Sequence, residues 1–163
     1  MIILVEGADG SGKSELIKNF INRYNFKELD LVPKNWPFQY NFYREFFDKI
    51  IYEYNENVII DRSFISEMVY RIVKKDRAAN ITLGEINRLL TQYPIKVIYC
   101  KTDSAFKDAM ARGENYITTS EEHEYLTCVY DIIIDLIRQF ANVEVIDYNW
   151  KTDNIEKLNG LMT

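Results

Sequence analysis

The sequence predicts an α/β fold, with a parallel sheet of about five strands flanked by helices. Three observations carry that expectation. Short apolar runs rich in β-branched residues alternate with segments whose apolar residues recur three and four positions apart, the marks of strands covered on both faces and of amphipathic helices. Helix-opening and helix-closing residues stand at the joins. The 163 residues are 47% hydrophobic and 14% aromatic, enough to fill one core, so positions 1–163 read as a single domain.

The first element is the apolar run Ile2–Val5, a buried strand. Leu16, Ile17, Phe20, Ile21 and Tyr24 then recur at helical spacing. Glu28–Val32 reads as a second strand, and Pro33 and Pro37 break the chain into a loop. Phe42, Phe46 and Ile50, with Tyr43, Phe47 and Ile51, make a wide helical stripe. Asn57–Asp61 is the third strand, and Phe64–Lys74 is a helix with Met68, Ile72 and Val73 inward. Arg77–Ile81 reads as loop. Thr82 and Glu85 have the spacing of a capping box and open a helix through Leu90, which Pro94 ends. Ile95–Tyr99 is the fourth strand. Asp103 or Ser104 caps a helix that runs to Arg112 and stops at Gly113. Thr119 and Glu122 repeat the capping-box spacing before a long helix carrying Leu126, Val129, Tyr130, Ile133, Leu136, Ile137 and Phe140. Val143–Ile146 is the last strand, and a loop over Tyr148–Thr152 leads to a short helix capped by Asp153. In such sheets ligands bind at the carboxyl ends of the strands, so the chemistry belongs just after Val5, Ile60, Tyr99 and Ile146.

Charge narrows the partners. The net charge is −5 and the isoelectric point about 5.0, which argues against a protein that grips nucleic acid through its phosphates. Cys100 and Cys128 make no metal-ligand spacing; a disulfide between them is possible but not implied, and reduced thiols of a cytosolic protein are the default reading. The lone histidine, His123, sits among acids and reads as a solvated helix residue. No basic leader precedes the first apolar run, which is too short to span a membrane.

Gly7-Ala8-Asp9-Gly10-Ser11-Gly12-Lys13-Ser14 fits G-x-x-x-x-G-K-[ST] at every position, with a strand before it and an amphipathic helix after. The residue types follow from the task. Glycines let the backbone wrap a diphosphate with its N–H groups inward, and the helix N-terminus adds a positive dipole end. Lys13 reaches the β- and γ-phosphates of ATP, and the Ser14 hydroxyl ligates Mg²⁺. The expected architecture is therefore a three-layer P-loop fold. The chain lacks an Asn-Lys-x-Asp stretch that would read guanine in a GTPase, and it is short for a motor, which favours a small-molecule kinase. Asp61-Arg62-Ser63 places an acid and a base just past the third strand. Asp61 can hold Mg²⁺ directly or through water and Arg62 an acceptor phosphate. Equally, Asp61 or Ser63 can be a helix N-cap beside a surface arginine.

These segments resemble the thymidylate kinases. Glu6–Ser14 is similar to their E-G-x-[DE]-x-x-G-K-[ST] loop, Asp61-Arg62-Ser63 and the helix to Tyr70 to their D-R-[YFS] segment, and Ala111-Arg112-Gly113-Glu114 to the helix leading into their lid. The motifs come in the family's order over most of the chain. The resemblance implies transfer of the ATP γ-phosphate, with Mg²⁺, to a (deoxy)nucleoside monophosphate, dTMP or a related pyrimidine nucleotide, by a homodimer. It implies that Asp9 lies near the acceptor's sugar 3′-hydroxyl and the transferring phosphate, that Asp61 is associated with Mg²⁺ and that Arg62 binds the acceptor phosphate. Family members without a basic residue after the loop acid carry a catalytic arginine in the lid. Gly10 occupies that place here, which assigns the role to Arg112; a favourable charge at a helix C-terminus is the other reading. Tyr40 and Arg44, four apart, match the aromatic and arginine of the family's base pocket, with Tyr70 closing it, although packing accounts for the same aromatics. Lys34 is a further contact to the acceptor phosphate, and Trp150 flanks adenine or is an exposed loop aromatic.

Three departures bear on the acceptor. The chain is shorter than typical members, the lid about 112–120 is very short with no second arginine, and Ser63 stands where tyrosine is usual, as in the E-R-S of deoxynucleoside kinases. Alternatives are therefore a deoxynucleoside kinase, with Asp9 or Glu6 as base, a kinase acting on a nucleotide within DNA, and a nucleotide-binding protein without turnover.

Overall fold

The computed structural model describes residues 1–29, 40–54, 56–75, 81–114 and 116–162, the side chains of Tyr54 and Phe140 excepted. Lys34, Pro33 and Pro37, and most of the expected 77–81 loop, lie outside those residues. Five strands form one sheet: β1 (Ile2–Glu6), β2 (Lys27–Leu29), β3 (Val58–Asp61), β4 (Ile95–Cys100) and β5 (Val145–Tyr148). Their order is β2-β3-β1-β4-β5 and every pairing is parallel. Around them pack α1 (Lys13–Tyr24), α2 (Tyr40–Lys49), α3 (Phe64–Lys74), α4 (Leu83–Gln92), α5 (Ala105–Ala111) and α6 (Ser120–Phe140), with a π-helical turn at Ile50–Tyr54 and a closing 3₁₀ segment at Ile155–Met162.

Alternation along the strands divides the core in two. Ile2, Leu4, Val58, Ile60 and Val97 face a layer that includes Tyr43, Phe47, Phe64, Val69, Leu89 and Tyr130. Ile3, Val5, Ile59 and Ile98 face the other, built from Leu16, Ile17, Phe20, Leu158 and Leu161. The apolar side chains of β1 and β3 are completely buried, each worth about 1.5–3 kcal/mol over exposure. This is the three-layer arrangement expected, with β1 in the middle of the sheet.

Most local signals act as read. Thr82 and Glu85 make both bonds of a capping box, and Gly113 is left-handed after α5 (φ 74°). Several details differ. Ser104 stands at the start of α5 without a capping bond, its hydroxyl donating to Asp108 instead (2.6 Å). β5 begins at Val145 rather than Val143, because Val143 N–H turns back to the Ala141 carbonyl (2.7 Å). Thr119 caps α6, but Glu122 takes the Thr118 N–H and Lys74 instead of closing the box. Asn154, not Asp153, caps the last segment; the Asp153 carboxylate accepts from Asn149 N–H and pairs with Lys157. Ile72 points outward, leaving Arg71 in the buried set. Among the described residues no helix is long and apolar enough to cross a membrane.

Candidate active site

The two expected sites meet because β1 and β3 are neighbours. Val5 is opposite Asp61 in the ladder, and Arg62 N–H continues it to the Val5 carbonyl (2.9 Å). Both strands therefore end side by side. Beyond them lies a cleft of about 110 Å³ lined by Asp9, Gly10, Gly12, Lys13 and Ser14 of the loop, by Asp61 and Arg62, and by Arg112 and Glu114 after α5.

Gly7–Ser14 forms the turn from β1 into α1, tightened by a Ser11 N–H to Ala8 carbonyl bond (3.3 Å). Two of its glycines have a clear physical reason. A Cβ on Gly10 would sit 1.8 Å from the Ala105 carbonyl, so this residue lets α5 seat on the loop. A Cβ on Gly12 would sit 2.1 Å from the Trp150 ring; Gly12 is also the left-handed N-cap of α1 (φ 87°). The indole thus lies on the loop backbone, and Lys151 spans its ring (5.2 Å) and pairs with Asp108 (2.8 Å). Lys13 donates to the Gly7 and Ala8 carbonyls (2.9 and 2.8 Å). Burial, with Arg62 nearby, lowers the Lys13 ammonium to about 8.

On the other side, Arg62 is a non-glycine residue in the left-handed region (φ 66°), a conformation that costs on the order of 1–3 kcal/mol and needs support. Its guanidinium bonds the Asp9 carboxylate and lies over the Tyr70 ring (5.0 Å), while Tyr70 O–H donates to the second Asp9 oxygen (3.0 Å). Burial pushes the Asp9 carboxyl up, but Arg62 and Lys13 outweigh it, and the net direction is downward. Arg112, half exposed, pairs with Glu114 (2.8 Å). The Glu114 carboxyl is raised by burial and by the Asp9 charge.

The residues fit Mg²⁺. Asp61 Oδ1 is buried without a hydrogen-bond partner and shares the cleft with Ser14. No group of three or more His, Cys, Asp or Glu is gathered for a metal among the described residues. One carboxylate and one hydroxyl suit this ion, which keeps several waters and takes substrate phosphate oxygens.

The structure brings Asp9, Lys13, Ser14, Asp61, Arg62, Tyr70 and Arg112 together. It does not bring Tyr40 and Arg44 with them. Tyr40 faces α4, with O–H toward Gln92 (3.5 Å) and Arg88 over its ring (5.5 Å). Arg44 is exposed, and its carbonyl accepts from Tyr93. The face of α2 turned to α3 is Tyr43 and Phe47, both in edge contact with Phe64.

Three polar groups are buried or partly buried in ways the sequence reading does not anticipate. Glu67 and Arg71 form an ion pair one turn apart on α3, a spacing visible in the sequence. His123 is buried rather than solvated: only 8% exposed, it rests on Phe106 (5.5 Å), and burial lowers its pKa. Glu6 is fully buried and accepts from the hydroxyls of Ser63 and Ser66.

No family model matches the sequence, and no curated protein matches it. Solved structures do. The YorR protein of Bacillus subtilis, in complex with phosphorylated GDP, aligns over 99% of this chain and 93% of its own at a TM-score of 0.70 and 18% identity. Deoxyadenosine kinase of M. mycoides aligns over 99% and 96% at 0.61 and 18%. Thymidylate kinase of Candida albicans aligns over 99% and 88% at 0.60 and 15%. The chain has the α/β fold of the P-loop nucleotide kinases. At these identities the likeness shows the fold, and the acceptor must be argued from the cleft.

Proposed function

We propose that this protein is an ATP- and Mg²⁺-dependent kinase of a (deoxy)nucleoside monophosphate, with dTMP or a related pyrimidine nucleotide as acceptor. The observation that carries the reading is the single cleft between Lys13 and Arg62. The loop N–H groups and Lys13 hold the donor phosphates. Arg62 takes the acceptor phosphate, exchanging its Asp9 partner for it, and Tyr70 keeps hold of Asp9. An acceptor oxygen attacks the γ-phosphorus in line, the bond to the β,γ-bridging oxygen breaks, and ADP leaves. Arg112, released from Glu114, neutralises charge on the transferred group. Bound Mg²⁺, at Ser14 and Asp61, supplies further charge neutralisation of the donor phosphates.

The alternative is a deoxynucleoside kinase. A hydroxyl acceptor needs a general base, whereas a phosphate dianion does not. Asp9, the acid facing Arg62, is held ionised and is a poor base. Glu6, raised to about 7, would be a better one but is turned toward Ser63 and Ser66 and does not line the cleft. This favours the monophosphate. Incubation with ATP and, separately, nucleosides, nucleoside monophosphates and an oligonucleotide decides the matter. Turnover of dTMP is expected; turnover of nucleosides alone overturns the reading.

A further inference from the structure

Glu6 is the last residue of β1, completely buried, and no step of the transfer uses it. A carboxylate with no access to solvent must have hydrogen-bond donors around it or be costly to keep. It has two, the Ser63 and Ser66 hydroxyls. Ser63 is the N-cap of α3, accepting from Ile65 N–H (3.3 Å). Ser66 is joined to Tyr130 of α6 (2.7 Å), and the Tyr130 ring meets Tyr70 edge-on (6.3 Å). One side chain thus fastens the root of the phosphate loop to the start of the acceptor-side helix and, through Ser66, to α6.

What it fastens is the strained residue. Arg62 stands between two anchors. Its own N–H is tied to Val5 in the ladder, and the next residue, Ser63, is tied to Glu6, the neighbour of Val5. A left-handed arginine flanked in this way is over-determined by its surroundings, which is how such conformations persist at functional sites. We infer that Glu6 is a positioning residue: through Ser63 it holds Arg62 in the left-handed conformation and so aims its guanidinium into the cleft. The role rests on the transferase reading for its effect on turnover, but its effect on Arg62 does not.

Glu6→Met and Glu6→Gln separate the possibilities. Methionine fills the space and accepts from neither serine. Glutamine keeps one acceptor and offers a donor to the other hydroxyl. With Glu6→Met, kcat/KM for the acceptor should fall about 10²-fold, the scale of a misplaced positioning contact. ATP affinity by isothermal titration calorimetry should stay at the wild-type value, and the melting temperature should not drop, since a buried charge has been removed. Glu6→Gln should restore most of the lost activity. Wild-type acceptor kinetics in Glu6→Met would overturn the inference, as would a loss of melting temperature with kcat and KM unmoved. If the wild type transfers phosphate to no acceptor, the functional reading fails by itself. A crystal structure of Glu6→Met then decides: Arg62 leaving positive φ and parting from Asp9 upholds the inference, and Arg62 in place overturns it. Should Glu6→Met not fold, Ser63→Ala carries the same kinetic and crystallographic readouts with the carboxylate intact.

Discussion

The two walls of the cleft are built from different materials. The wall proposed to hold the donor is backbone: eight consecutive residues, Gly7–Ser14, whose glycines make room for Ala105 and Trp150. The wall proposed to take the acceptor is side chains drawn from several elements: Arg62 just past β3, Tyr70 from α3, Asp9 from the loop, Glu6 behind them from β1. A backbone cradle is local and tolerates little change of residue type. A side-chain wall depends on which helix faces which, and tertiary packing settles that.

The contrast can be broken or sharpened by mutation. The largest effect belongs to the donor wall: Lys13→Ala should lower kcat about 10³-fold, measured by steady-state transfer from ATP. Close behind, Arg62→Ala should cost about 10²–10³-fold in kcat/KM for the acceptor and little in ATP affinity; equal losses on both substrates would erase the distinction between the walls. Arg112→Ala should lower kcat by roughly 10²-fold or more with KM nearly unchanged, if its charge has the proposed role on the transferred group. If Arg112 only favours a helix terminus, kcat will not move.

A pH test follows from Glu6. Its folded value is about 7 against an ordinary 4.5, raised chiefly by burial, so the folded state binds the extra proton between those values. Stability should therefore be highest below pH 4.5 with respect to this group, decline as pH rises toward 7, and level off above, by on the order of 3 kcal/mol. Urea unfolding across that window checks it, and Glu6→Gln should flatten the slope. Asp9, lowered on balance, pulls oppositely: its contribution is present above its unfolded range and lost as pH falls below it. The smallest effect belongs to Tyr40→Ala and Arg44→Ala. Packed on α4 and exposed to solvent respectively, they should shift the acceptor KM by less than about threefold, within what surface changes do.

Legibility in sequence followed the same division. The phosphate loop, the strand before it, and the Asp61-Arg62-Ser63 turn were readable because glycines, one lysine and a strand end are local signals, and parallel strands that end together put them in one place. The resemblance assigns Tyr40 and Arg44 to the base pocket through their one-turn spacing, which gives the face they share but not its direction; the buried face of α2 is Tyr43 and Phe47. Glu6 was legible as a motif position and not as a buried acid, since nothing local says that Ser63 and Ser66, nearly sixty residues away, will donate to it. His123 misled because its neighbours in sequence are charged, while its neighbours in space are Phe106 and the loop.

Trp150 against Gly12 also gives the protein an optical gauge. The chain has two tryptophans, and this one touches the phosphate loop while remaining 38% exposed. On the proposed reading, nucleotide arriving beside it should change the polarity and quenching the indole experiences. Its emission can therefore follow donor binding in real time, without a label, in a Trp36→Phe background.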